Sequence, residues 1–224
     1  MNDDLDKNLD KFAERLFNRM EQRTDEWFAA RLGKVTASRV ADVVAKTKSG
    51  YSASRANYMA ELICERLTGR SGDFFATPAM AWGTEQEPNA RAAYEAETGH
   101  LVTETGFVPH PLIPMAGASP DGLVGDIGLI EIKCPNTATH LDTLLTGFVP
   151  EKYVAQMMWQ MACTGRMWCD FVSYDPRLPD NMRLFIRRVE IDTFLINSLE
   201  TEVRKFLAEI DTKIENLTKL YGEA

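Results

Sequence analysis

Leu5, Leu9, Phe12, Leu16 and Met20 recur at three- and four-residue steps with charges between them, a stripe that predicts an amphipathic helix over 3–20. A second, short helix is expected over 26–32, stopped by Gly33, and Thr36-Ala37-Ser38 reads as the cap of a third that runs to Val44. Residues 46–52 are polar, contain Gly50 and two lysines, and read as a loop. Helical periodicity returns over 54–67, breaks at 68–72, and resumes over 80–98 with Gly99 placed as a C-cap.

From Leu101 the pattern changes to short β-rich runs punctuated by Pro and Gly, over 101–108, 115–118, 122–124 and 129–134. Helices over 138–145 and 151–162, strands over 168–174 and 183–191, and a long amphipathic helix over 193–220 complete the pattern. Helices before and after a small central sheet predict one α/β domain with a mixed sheet, spanning residues 1–224.

The densest chemistry lies in the centre, where Ser119-Pro120-Asp121-Gly122 is followed by Glu131-Ile132-Lys133. Side chains alternate along a strand, so Glu131 and Lys133 share one face while Ile130, Ile132 and Cys134 share the other. The Gly-rich reversal from Gly122 to Gly128 folds one short strand back on the next and can bring Asp121 beside Glu131. Two adjacent carboxylates repel unless a cation intervenes, and their oxygens suit a hard ion such as Mg²⁺. A lysine on the same face can orient water and neutralise charge that develops on a phosphate oxygen, as a metal-dependent phosphodiesterase requires. This is the PD-(D/E)xK nuclease signature. The alternative is an exposed hairpin whose charges simply face water.

Neighbouring segments add to it. Glu85 and Glu87 are two apart on a helix, so at most one can face a site, and spacing leaves open which. Gln156 and Gln160 lie one turn apart, where an amide can hold a water or satisfy a backbone group. Arg31 offers a planar fork suited to phosphate and Ser38 stands near a helix start, although an ordinary surface arginine is the alternative.

Composition bears on partners. Net charge is −8, from 25 Lys+Arg against 33 Asp+Glu, which argues against a constitutive DNA coater. Hydrophobic residues at 45% and charged residues at 26% exclude a disordered or collagen-like chain. No basic-then-apolar leader opens the sequence and no apolar run approaches membrane-spanning length, so a cytoplasmic protein with no membrane partner is expected. Cys64, Cys134, Cys163 and Cys169 are scattered and predict buried free thiols, because an iron–sulfur site would want clustered spacing.

Taken in order, Trp27 with Arg31-Leu32-Gly33, Thr36-Ala37-Ser38, Ala81-Trp82-Gly83 with Glu87, Ser119 to Gly122, Glu131 to Pro135, Tyr153 with Ala155-Gln156, and Tyr174 to Arg177 resemble the lambda exonuclease family, the YqaJ-type viral recombinases. The resemblance implies a restriction-endonuclease-like core and a 5′→3′ exonuclease. Such an enzyme degrades one strand of linear double-stranded DNA to mononucleotides, leaving 3′ tails for phage or prophage recombination in a bacterial cell. It further implies Asp121, Glu131, Glu87 and the main-chain carbonyl of Ile132 as metal ligands for Mg²⁺, which Mn²⁺ can replace, and two ions per site are expected on general grounds of phosphodiester hydrolysis. By the same resemblance Lys133 positions or activates the water and Gln156 is the family glutamine, while Met158 stands where the family has a second one. Arg31, Ser38 and Ser119 match residues that receive a 5′-phosphate, and Lys48 matches an arginine that touches duplex DNA. Pro111 replaces a further aspartate, beside a His110 that is expected to be structural or exposed. A ring-shaped homotrimer and a single-strand annealing protein as partner are also implied. An endonuclease of the same fold and a non-catalytic DNA-end-binding module are the alternatives. With this resemblance the net charge reads as an acidic exterior around a basic path that includes Arg31 and Lys48, which favours binding at DNA ends.

Overall fold

The computed structural model of the chain describes residues 20–72 and 77–222. The helix expected over 3–20 falls, apart from Met20, outside them. Helix α1 (Asp25–Arg31) is capped by Thr24, whose hydroxyl accepts the Trp27 N–H. Strand β1 (Val35–Thr36) leads into a 3₁₀ turn over Ala37–Arg39 and then α2 (Val40–Val44). Thr36 makes no side-chain cap; its N–H is bound instead by the buried Tyr58 hydroxyl at 3.1 Å, and the turn takes the place of the expected first helical turn.

The 46–52 segment is more ordered than a loop. Lys46–Thr47 and Gly50–Tyr51 pair as the short hairpin β2–β3, with Gly50 at φ +130° supplying the reversal. Helix α3 (Ala53–Thr68) follows, and α4 (Pro78–Thr98) ends at Gly99, which adopts φ +72° as its C-cap.

The run 101–108, expected as one strand, is two. Val102–Thr103 (β4) and Val108–Pro109 (β5) belong to different sheets, and between them Gly106 passes against the backbone of Met20, where a Cβ would not fit. Strand β5 pairs with β6 (Ala116–Ala118), which pairs in parallel with β1. The larger sheet has the order β10-β9-β8-β7-β4, built from β7 (Gly122–Val124), β8 (Gly128–Lys133), β9 (Trp168–Tyr174) and β10 (Leu184–Glu190). Its β8–β9 pair is parallel and the others antiparallel, so it is mixed as expected. Helices α5 (Thr137–Thr146) and α6 (Glu151–Thr164) form the crossover between β8 and β9, and α7 (Thr193–Tyr221) closes the chain.

Both faces of the sheet are covered. Leu129, Cys169 and Phe171 pack with Met157, Trp159 and Met161 of α6 and Leu199, Val203 and Phe206 of α7. Ile130, Ile132, Cys134 and Val172 pack on the other side against Ala90 and Tyr94 of α4. The alternation along β8 holds, but its charged face is buried rather than solvated, since Glu131 has no exposed surface. Cys134 and Cys169 are buried free thiols and Cys163 is buried, whereas Cys64 is free and exposed, because it lies on the outer face of α3. His110 is buried, its ring stacked on Trp159 at 4.9 Å, while Pro111 is exposed. Among the described residues no helix is long and apolar enough to cross a membrane.

Candidate active site

The β7–β8 hairpin sets Gly122 opposite Ile130, so Asp121, one residue before β7, lies against the C-terminal end of β8. There Asp121 Oδ2 accepts the Ile132 N–H at 2.7 Å. Glu131 points toward α6, on the side of β8 opposite Ile130 and Ile132. Gln156 Nε2 donates to its Oε1 at 2.6 Å and Gln160 Nε2 to its Oε2 at 2.5 Å, while Lys133 Nζ forms an ion pair with Oε1. A fully buried, unpaired carboxylate costs several kcal/mol, and this one is stable because an ammonium and two amides one helical turn apart meet it.

Charge in this centre does not balance. Burial raises Asp121 well above the usual carboxylate range; the field of Glu131 adds to it, Glu87 adds less, and Lys133 and the Ile132 N–H offset only part. Burial alone would lower Lys133, but the fields of Glu131 and Asp121 and the bond to Glu131 outweigh it, and the ammonium is held above the ordinary lysine range. Lys133 is thus held as a cation and donor beside Glu131 in the metal-free protein. It also lies 5.2 Å from the Tyr153 ring centre.

The helical geometry left open by spacing is resolved on α4: Glu85 is exposed, while Glu87 is half-buried and turned inward. Its Oε2 accepts from Arg23 at 2.6 Å and its Oε1 from Arg91 at 3.0 Å. Arg91 also pairs with Glu104 and reaches the Asp121 carbonyl at 3.4 Å. Among the described residues no three Asp, Glu, His or Cys side chains are gathered closely enough to hold a metal ion as they stand, and Glu87 is engaged by the two arginines. The donor chemistry still fits a divalent cation. Two oxygen-donor carboxylates share one ammonium, and Asp121, raised first by burial and then by the field of Glu131, is a group whose charged form a cation would favour.

A second group adjoins the first. Trp27 Nε1 donates to Ser119 Oγ at 2.9 Å, and the Arg31 guanidinium stacks 3.8 Å above the Trp27 ring. Arg31 is not an ordinary surface arginine: burial pulls it down to about 10, with Tyr58 and Glu65 offsetting part of the effect. No carboxylate hydrogen-bonds to it among the described residues, which leaves a desolvated planar cation suited to an anion. Ser38 is exposed on the 3₁₀ turn, its hydroxyl 3.4 Å from that of Thr36. Lys48 is exposed at the tip of the β2–β3 hairpin.

Arg91 and Arg23 escaped the sequence reading, whereas Gln160 was already singled out there with Gln156. Gln160, rather than residue 158, supplies the second amide; Met158 is buried elsewhere, its sulfur accepting the Asp192 N–H at 3.3 Å. The signal was the one-turn spacing of Gln156 and Gln160. Arg91 lies one turn after Glu87 and was equally readable, whereas Arg23 had no local signal.

A mixed sheet that carries Pro-Asp at one hairpin end and Glu-x-Lys on the next strand, with helices on both faces, defines a lambda-exonuclease-like α/β fold. The family model of YqaJ-like viral recombinase domains matches residues 26–167. An alkaline exonuclease from Laribacter hongkongensis, LHK-Exo, is 62% identical, with 88% of this chain and 97% of that chain covered. The TM-score is 0.82 to that structure and 0.83 to the same enzyme in complex with dAMP. A phage related exonuclease from Haemophilus somnus 129PT has 16% identity over 82% of this chain and 96% of its own, with a TM-score of 0.66, a likeness of fold alone. Curated protein sequences give no significant match. The chain belongs to the YqaJ-like viral recombinase family.

Proposed function

We propose that this protein is a divalent-metal-dependent 5′→3′ exonuclease that degrades one strand of linear double-stranded DNA to mononucleotides and leaves a 3′ single-stranded tail. The observation that carries the reading is Glu131, buried without exposure and gripped by Gln156, Gln160 and Lys133 beside Asp121. Family membership and the 62% identity to an alkaline exonuclease support it, and dAMP in that relative's complex is a mononucleotide of the kind expected as product.

In this reading Asp121, Glu131 and the Ile132 carbonyl hold the metal, with Glu87 joining them. Mg²⁺, or Mn²⁺ in its place, and two ions per site, would polarise the phosphodiester and lower the pKa of a bound water. Glu131 is kept in place by its amide partners, and Lys133 orients the water and offsets charge on the phosphate through its fixed positive charge. Arg31 and Ser119 receive a 5′-phosphate, with Ser38 at the edge of that group. Ser119 stands two residues before Asp121, so a 5′-phosphate held there lies a fixed short distance from the metal ligands. Polarity follows from this spacing: each cut exposes a new 5′-phosphate that the same group can take. Lys48 contacts the duplex further out. A ring-shaped homotrimer around DNA, a single-strand annealing protein that takes the tail, and a cytoplasmic site of action in a host carrying phage or prophage complete the proposal on family grounds.

Linear 5′-phosphorylated duplex, labelled separately at each end and incubated with Mg²⁺, tests the proposal. Label is expected to leave from 5′ ends, with closed circles resistant; loss from 3′ ends, or equal cutting of circles, would overturn it.

A further inference from the structure

Each carboxylate oxygen of Glu87 is taken by a different guanidinium, Oε2 by Arg23 at 2.6 Å and Oε1 by Arg91 at 3.0 Å. The two arginines are held differently. The Arg91 side chain is 16% exposed and has further partners in Glu104 and the Asp121 carbonyl. The Arg23 side chain is 50% exposed, and Glu87 is its one ion-pair partner among the described residues.

What is fixed in Arg23 is its backbone. Gln22 Nε2 donates to the carbonyls of Thr105 and Pro120, both at 2.8 Å, and Met20 packs its backbone on Gly106. Between these anchors and α1, Arg23 adopts φ +71°, the left-handed region that a non-glycine residue enters only at a cost and under constraint. Residues 20–23 are thereby bolted to the residue before Asp121, with a long, half-exposed cation reaching across to Glu87.

We propose that Arg23 is a positioning residue that exchanges partners: it holds Glu87 until that carboxylate takes a divalent cation, and then pairs with a phosphate of the DNA strand. The inference rests on the nuclease reading of Asp121, Glu131 and Glu87. Each Glu87 oxygen keeps a second lone pair, but a guanidinium on it sets positive charge against an incoming cation, so Glu87 takes the cation more readily when one guanidinium leaves. Arg23 is the one free to leave, since its half-exposed guanidinium can turn into water, whereas Arg91 is mostly buried and tied in place by Glu104 and the Asp121 carbonyl. A guanidinium freed beside a phosphodiester site has a matched acceptor, because its planar fork fits phosphate oxygens. The exchange also accounts for the finding that Asp121, Glu131 and Glu87 are not gathered as they stand.

Two variants test it. Arg23→Gly removes the guanidinium and suits φ +71°, so the backbone anchors survive, while Arg23→Lys keeps the charge without the fork. Mn²⁺ binding to the DNA-free protein is measured by calorimetry, and binding of 5′-phosphorylated duplex in Ca²⁺ by fluorescence anisotropy. In Arg23→Gly, Mn²⁺ is expected to bind about threefold more tightly and duplex about threefold more weakly, the scale of an exposed ion pair, with Arg23→Lys between wild type and Gly in both. Unchanged or weaker Mn²⁺ binding would overturn the exchange by making Arg23 a mere support of Glu87, and unchanged duplex binding would overturn it as well. Wild-type protein that hydrolyses duplex ends while the Gly variant matches it in both assays defeats the Arg23 inference alone; wild-type protein that neither binds Mn²⁺ nor hydrolyses duplex defeats the nuclease reading beneath it.

Discussion

The large sheet buries carboxylates on both faces, and the two faces treat them differently. Asp170 lies opposite Ile130 on the α4 side and is fully balanced: the Tyr94 hydroxyl donates to Oδ2 at 2.8 Å and the Arg188 fork closes on both oxygens at 2.8 and 2.9 Å. Arg188 in turn stacks 3.5 Å above the Trp168 ring. In the Asp121–Glu131 centre two acids face one ammonium, and the remaining donors are neutral. A buried charge matched one to one by a rigid fork behaves as structure. A centre left short of positive charge is under tension in the folded state, and proteins keep such tension where a ligand is meant to relieve it.

Removing a cation should separate the two regions. Lys133→Ala is expected to lower turnover on linear duplex by at least about 10²-fold, the scale of deleting one preorganised donor, while duplex binding in Ca²⁺ persists. Near-normal hydrolysis by the variant would take Lys133 out of the chemistry. Next in size, Arg188→Ala should destabilise the fold by about 3 kcal/mol by stranding Asp170, read as a lower urea midpoint. A change below about 0.5 kcal/mol would mean that Asp170 is not held as a structural pair.

The smallest effect has the opposite sign. Because the folded protein raises Asp121, the unfolded chain ionises this group first, so a stability penalty builds as pH rises above about 4 and is complete above the folded-state pKa. Asp121→Asn is therefore expected to raise the stability of the metal-free protein at neutral pH by about 1 kcal/mol, to flatten this part of its pH dependence, and to abolish most of the stabilisation that added Mn²⁺ gives the wild type. Thermal melts with and without Mn²⁺ at several pH values decide it; a variant less stable than wild type throughout would place Asp121 with Asp170 among the balanced charges.

Nearest-neighbour pattern carried much of this into the sequence. Strand β7 keeps its expected bounds and β8 is displaced by a single residue, since alternating apolar positions bounded by Gly and Pro leave a short strand few other registers. The run 101–108 failed for a reason invisible to local pattern: Gly106 lets the Met20 backbone cross it, which cuts one apparent strand into two. Likewise 46–52 closed as a hairpin through Gly50, a loop composition that also serves a turn.

By itself the sequence determined the family, the order of elements and the pairing of Asp121 with Glu131 and Lys133, because these rest on residues close in the chain and on the two-residue period of a strand. Only the tertiary structure decided that Glu131 is wholly buried, that Gln160 joins Gln156 on it, that Glu87 is held by Arg23, and that Arg31 is desolvated over Trp27. The contacts to Glu131 and Glu87 join partners far apart in sequence, 29 positions for Gln160 and Glu131 and 64 for Arg23 and Glu87, whereas Arg31 and Trp27 are four apart and only the burial around them is non-local. Burial and charge balance are properties of a packed neighbourhood, and no local pattern states who the neighbours will be.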